Sequence, residues 1–221
     1  TVRGREVGIW NDVTLTAEEV VTLHDPLITT QLNLPDTLAT LTPTVGFYNN
    51  FGKKITGTIH GWVDDIKFKK DVVSNPGEGY ITLKPEDFPE LTKRKLRLWW
   101  PNGYGEPYLY DAGMCFIDEK GDTLSVVRWK QGIRQVTYKD NDTALKIYVN
   151  GRRVVPMGGN WGFPEQNLNY RGREYDAAVR YHRDMNFNMI RNWVGQTGDE
   201  EFYEACDKYG IMVWQDFWLA N

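Results

Sequence analysis

The hydrophobic and polar positions of this chain follow two patterns, and the change between them falls near residue 140. From about residue 20 to residue 137, apolar, β-branched and aromatic residues gather in short, often alternating runs: 20–23, 27–34, 39–48, 54–63, 66–73, 80–83, 96–100, 109–117 and 123–129. Alternation with period two is what a half-buried strand requires, because successive side chains point to opposite faces. Turn chemistry separates the runs at His24-Asp25-Pro26, at Leu34-Pro35-Asp36 and at the corner from Asn49 to Gly52, and the stretch from Asp118 to Asp122 closes a hairpin. No part of this region carries a 3.6-residue apolar period. About eight short strands in roughly 115 residues is the pattern of an antiparallel β-sandwich of immunoglobulin type. A barrel of similar strand number fits the same pattern.

After Thr143 the pattern changes. Leu145, Ile147 and Val149 alternate with Lys146 and Tyr148, and Asn150-Gly151 then supplies a hairpin turn in which both residues tolerate positive φ. Val154 to Met157 leads to Gly158, Gly159, Asn160 and Trp161. A helix is predicted over 174–186, with Ala178, Tyr181, His182 and Met185 on one face. Residues 188–193 read as a short buried strand. The second helix is expected to start at Thr197, three residues before Glu200 in capping-box spacing. Its stripe is Phe202, Cys206 and Tyr209, Lys208 lies in its last turn, and Gly210 closes it in the left-handed manner. Residues 211–217 read as a third strand. Strand, helix, strand, helix, strand in this order predicts parallel strands joined by right-handed crossovers.

Such a unit opens either a doubly wound sheet or a TIM barrel. The doubly wound reading needs a glycine loop that cradles phosphate after the first strand. Here Gly158-Gly159 runs into Asn160-Trp161-Gly162 instead of a glycine run that opens a helix, which argues against nucleotide binding. A TIM barrel carries its functional residues at the carboxyl ends of its strands. Those ends hold Asn160 and Trp161, then Arg191 and Trp193, then Gln215, Asp216 and Trp218. Polar groups interleaved with indole rings fit a sugar: flat aromatic faces stack on pyranose rings while amide, guanidinium and carboxylate groups bind the hydroxyls.

Composition narrows the field. The 221 residues carry 26 basic and 30 acidic side chains, a net charge of −4 with no basic stretch, which argues against a nucleic-acid partner. No apolar run is long enough to span a bilayer. With 9 Trp, 12 Tyr and 9 Phe the chain can build a core. Cys115 and Cys206 lie in regions of different character and are expected to be free thiols; neither sits at metal-ligand spacing, so no metal or cofactor is expected. The Asn141-Asp142-Thr143 sequon is too short to assign a compartment. The start at Thr1 without Met and the stop at Asn221 after an apolar run read as a piece of a longer chain.

Several motifs together carry a resemblance. They are Gly8-Ile9-Trp10, the run from Leu98 to Tyr110 (LWWPNGYGEPYLY), Lys130 to Gln135 (KQGIRQ), Asn150 to Trp161 (NGRRVVPMGGNW), Met185 to Trp193 (MNFNMIRNW) and Glu201 to Phe217 (EFYEACDKYGIMVWQDF). In this order the chain resembles glycoside hydrolase family 2, especially its exo-β-glucosaminidase and β-mannosidase branch. One departure is Asn192 to Gln196, where mannosidases usually show a Trp followed by several glycines.

The resemblance implies three parts: residues 1–19 as the tail of an N-terminal sugar-binding domain or a linker strand, 20–137 as an immunoglobulin-like sandwich, and 138–221 as the start of a TIM-barrel catalytic domain. The fold expected is therefore a β-sandwich followed by a truncated barrel segment of about three parallel strands and two helices. The activity implied is retaining hydrolysis of a terminal β-linked sugar of mannoside, glucosaminide or galactoside type, and relatives of this branch are often exported. The family's acid/base is a Glu after an Asn, and its nucleophile a Glu at strand seven. The chain has no Asn-Glu dipeptide, so it is expected to lack both catalytic carboxylates and to be inactive alone. Glu200, Glu201 and Glu204 are read as acids near a helix N-terminus, not as a catalytic pair.

Within an intact enzyme the resemblance gives Arg191 the task of holding the nucleophile ionised, against the plainer reading of a strand-end ion pair. Trp161 and Trp193 would belong to a sugar-facing wall or to the core, Asn160 would lie near the sugar, and Asp216 would bind hydroxyls or orient a neighbour. Trp214 is expected in the core, Trp99 and Trp100 in sandwich packing, and His182 as a satisfied interface side chain. The partner expected is a β-glycoside, together with self-association through the open edges of an incomplete barrel. The alternative is a stand-alone carbohydrate-binding or interaction module whose working part is the sandwich.

Overall fold

The computed structural model describes residues 13–15, 17, 20–34, 36–92, 94–141, 144–161, 173–193 and 198–217. By their contacts these divide into two compact units, one from Glu18 to Val155 and one made of the residues up to Ala17 together with those from Pro156 onward.

In the first unit, two four-stranded antiparallel sheets share one core. One has β1 (Val21–Asn33), β2 (Leu38–Asn49) and β5 (Gly77–Thr82) in that order, with β6 (Arg94–Lys95) also on β2. The other runs β4 (Ile66–Ser74), β3 (Ile55–Val63), β7 (Leu109–Asp118), β8 (Thr123–Gly132). Leu41, Val45 and Phe47 of β2 face Ile59, Met114 and Phe116 of the opposite sheet, all essentially buried. Phe47 and Phe116 meet edge to face at 5.2 Å between ring centres, a geometry aromatic quadrupoles favour. Leu23 N–H also donates across the sheets to Ser125 Oγ at 3.0 Å.

Two expectations for this region are corrected. His24-Asp25-Pro26 does not end a strand; it is a bulge within β1, with Asp25 at φ +46° absorbing the register shift. Residues 96–100 do not form a strand but touch the ladder only at the Trp99–Pro107 bridge. Pro101 and Pro107 lack the N–H a ladder needs, and the segment is held individually instead: Trp99 N–H to Ile133 O at 2.9 Å, and Arg97 N–H to the Tyr110 hydroxyl at 2.7 Å. Trp99 is fully buried, as expected.

A small antiparallel sheet follows: β9 (Val136–Asn141), which the sequence reading missed, then β10 (Ala144–Val149) and β11 (Arg152–Val154). Asn150 and Gly151 turn from β10 to β11 at φ +50° and +77°, the predicted hairpin. The buried Asn150 also accepts from Gln135 N–H and donates to Trp99 O, both at 2.9 Å.

The second unit is a three-stranded parallel sheet, β12 (Gly158–Trp161), β13 (Met189–Asn192) and β14 (Met212–Gln215), with α1 (Arg173–Asp184) and α2 (Glu200–Tyr209) between them in sequence. The predicted order and parallel sense are observed. The buried positions of α1 are Tyr175 and Val179, with Ala178 and His182 beside them; Tyr181 and Met185 are exposed, so the inward face lies one step from the predicted one. Helix α2 starts later than predicted: Asp199 is its N-cap residue, and Thr197 lies outside the described residues. Its stripe of Phe202, Cys206 and Tyr209 and its left-handed Gly210 cap, at φ +73°, are as predicted.

Candidate functional site

The two faces of the parallel sheet differ, and register assigns each residue to one of them. Trp161, Asn192 and Gln215 are cross-strand neighbours on the helix-covered face, as are Gly159, Ile190 and Val213 one step below. There Trp161 and Ile190 pack with Tyr175 and Val179 of α1 and with Phe202 and Cys206 of α2. Trp161 is only 6% exposed and lies 5.4 Å from the Phe202 ring and 5.6 Å from that of His182. Of its two expected places, wall or core, the structure takes the core. Burial pushes the Cys206 thiol far above its ordinary pKa, so it acts as packing rather than as a nucleophile. Both cysteines are free, as expected. His182 Nδ1 contacts Ala178 O at 2.8 Å, and the ring lies 5.7 Å from that of Phe187, the satisfied histidine foreseen.

Polar groups close the carboxyl end of this covered face. Asn192, fully buried, donates from Nδ2 to Gln215 Oε1 at 2.9 Å, and the Tyr203 hydroxyl donates to the same oxygen at 2.8 Å. At the amino end, buried Asn188 accepts from Met157 N–H at 2.8 Å and its backbone returns a bond to Met157 O. These amides fix the relative heights of the strands and so the row on the other face.

That other face carries the candidate site. Asn160, Arg191 and Trp214 stand side by side across β12, β13 and β14. Asp216 lies two residues beyond Trp214, hence on the same side. Its carboxylate takes a two-pronged grip from Arg191: Nε to Oδ1 at 3.1 Å and Nη2 to Oδ2 at 2.7 Å. The side chains are 44% and 20% exposed, so the pair meets solvent while its geometry is fixed. Trp214 is 54% exposed, not in the core; its even spacing from Asp216 was the sequence signal that should have placed it here. Trp193 follows β13 and is 48% exposed, and Asn160 is exposed at the end of β12. The structure thus brings Asn160, Arg191 and Asp216 together, adds Trp214, and takes Trp161 away to the opposite face. Trp218 and the departure motif beyond Trp193 lie outside the described residues. Among the described residues no group of three or more His, Cys, Asp or Glu side chains could hold a metal ion. No described helix is long and apolar enough to cross a membrane.

An open sheet face with an indole, an amide and a forked guanidinium–carboxylate pair at strand ends offers stacking area and fixed hydrogen-bonding groups. Residues 21–134 match the model of glycosyl hydrolases family 2. The chain belongs to that family. It is 33% identical over its whole length to a mannosylglycoprotein endo-β-mannosidase of Lilium longiflorum, covering 24% of that protein. It is 32% identical to an exo-β-D-glucosaminidase of Streptomyces avermitilis, over 95% of this chain and 23% of the other. In fold it matches a β-D-mannosidase from Dictyoglomus thermophilum with a TM-score of 0.74 at 24% identity, over 92% of this chain and 25% of that one. The Amycolatopsis orientalis exo-chitosanase matches with a TM-score of 0.72 at 20% identity, over 89% of this chain and 22% of that one. The chain spans about a quarter of the length of the curated relatives it matches.

Proposed function

We propose that this chain is a segment of a retaining β-glycosidase acting on a terminal β-linked mannoside, glucosaminide or galactoside. In this reading residues 1–19 are the tail of a preceding sugar-binding domain or a linker. Residues 20–137 form an immunoglobulin-like sandwich, and 138–221 open a TIM barrel, with the β9 to β11 sheet as its lead-in. The observation that carries the reading is the row of Asn160, Arg191 and Trp214 with Asp216, exposed at the carboxyl ends of three successive parallel strands. Active groups of such barrels lie at that end. The sandwich order β4, β3, β7, β8 against β1, β2, β5 supports the immunoglobulin-like assignment.

Retaining hydrolysis needs two carboxyl groups roughly 5–5.5 Å apart, one protonating the leaving oxygen and one attacking the anomeric carbon. We assign neither to this chain. Arg191 is a positioning residue: fixed by Asp216, its guanidinium would stabilise a carboxylate brought beside it. Asn160, Trp193 and Asp216 would face the sugar. The 221-residue chain is therefore expected to release no phenol from aryl β-mannosides, β-glucosaminides or β-galactosides above a blank. Turnover well above the blank would overturn the assignment. The unpaired edges of β12 and β14, among the described residues, also lead us to expect association between copies of the chain.

A further inference from the structure

The outer face of the β1–β2–β5 sheet, turned away from the sandwich core, holds a cluster with no part in the glycosidase reading. Register places Thr22, Tyr48 and Glu78 side by side in one cross-strand row, and His24, Gly46 and Tyr80 in the next. Gly46 is the notch between them: a Cβ there would collide with the imidazole of His24, which lies across it. The imidazole meets the Tyr80 ring edge-on at 6.0 Å and 75°. Its Nδ1 faces Asp25 Oδ2 at 2.9 Å and its Nε2 faces Glu78 Oε1 at 3.7 Å. Thr22, His24, Tyr48 and Asn50 line a depression of about 450 Å³. The aromatic and acidic groups around it remain open to solvent: Tyr80 is 63% exposed, and the Asp25 and Glu78 side chains are 78% and 55% exposed.

We propose that this patch is a saccharide-binding site separate from the parallel-sheet site, and that its ligand is an oligosaccharide of amino sugars. Two exposed phenol rings present faces on which pyranose C–H groups stack, and such faces also attract a cation. Two carboxylates against a single imidazole give the patch a negative balance that an ammonium substituent complements and a neutral sugar does not. A protein partner would need on the order of 1,200–2,000 Å² of total contact, more than two cross-strand rows supply. A metal ion is a poor fit, since no cluster of three ligating side chains forms among the described residues.

The test is an amide NMR titration of the isotopically labelled 221-residue chain with a β-1,4-linked glucosamine trimer, and in parallel with a β-1,4-linked glucose trimer. Saturable shifts at residues 22–25, 46–50 and 77–81 are expected with the amino sugar, whatever moves in the parallel sheet. Affinity for the neutral trimer is expected to be about tenfold lower, the size of one charge-assisted hydrogen bond. Tyr80→Ala and Glu78→Gln, both at exposed positions that spare the fold, should each weaken binding by on the order of tenfold. Absence of saturable shifts at these residues, equal affinity for the two trimers, or variants that bind as the parent does would each overturn the proposal. All these outcomes leave the glycosidase reading of the parallel sheet standing.

Discussion

The two units solve the same burial problem differently. In the sandwich, each sheet turns an apolar face onto the other, and the two meet in one core where Phe47 touches Phe116. The parallel sheet has one such face, covered by α1 and α2, while its other face carries Asn160, Arg191 and Trp214 without cover among the described residues. Parallel strands are ordinarily buried on both faces. The difference teaches where each unit keeps its stability and where it keeps its chemistry. The sandwich is closed on itself and stable by packing. The parallel sheet keeps polar and aromatic groups on an open face, at a cost in packed area.

The largest test of this contrast removes a partner from the closed core. Phe116→Ala deletes a fully buried ring that touches Phe47, and burial losses of this kind run to about 3–5 kcal/mol. Urea unfolding followed by a sandwich probe should show a loss of that size. A loss below about 1 kcal/mol would mean that the two sheets do not depend on each other as described.

How much of this was legible beforehand follows the strength of local rules. Alternation found seven of the eight main sandwich strands to within a few residues, because one face of each sheet is buried and the other is not. The exception, β6, is two residues long and was misplaced to 96–100, since burial of Leu96, Leu98 and Trp99 copies a strand's pattern where proline prevents its ladder. The β9 strand, from Val136 to Asn141, has only Val136 and Tyr138 as alternating apolar positions before Lys139, Asp140 and Asn141, a signal too short to mark a strand by itself. In the site, Arg191 and Asp216 were named separately, and only the register of β13 against β14 joins them. Trp161 was left between wall and core and Trp214 was expected in the core; the two-residue step from Trp214 to Asp216 puts those two on one side, while which side the helices cover is a tertiary choice.

A second test asks whether the open face draws copies together. Sedimentation velocity at rising concentration should show association, and Trp214→Ser should weaken it by on the order of tenfold, as loss of an interfacial aromatic anchor does. Because Trp214 is 54% exposed, the same change should move stability by no more than about 0.5 kcal/mol. A chain that stays monomeric at high concentration would remove the expected consequence of an uncovered face.

The smallest effect concerns what locks α1 to α2 over the covered face. Asp176 in the first turn of α1 accepts from Lys208 Nζ at 2.6 Å and from the Tyr209 hydroxyl at 2.9 Å, both on the last turn of α2. The Lys208 hydrogen bond holds the Asp176 carboxyl below its ordinary value of 3.8, and Asp176 in turn raises the lysine. A depressed carboxylate binds its proton less readily folded than unfolded, so its contribution is complete above the unfolded value and is lost as pH falls through the lower, folded one. Loss should therefore begin near pH 4 and deepen below it. The side chains are 57% and 42% exposed, so water screens the pair and its worth stays below about 1 kcal/mol. Asp176→Asn should flatten this acid dependence for a probe in the parallel unit and leave a sandwich probe unmoved. Equal flattening in both would show that the acid-sensitive step belongs to the whole chain rather than to the half-covered sheet.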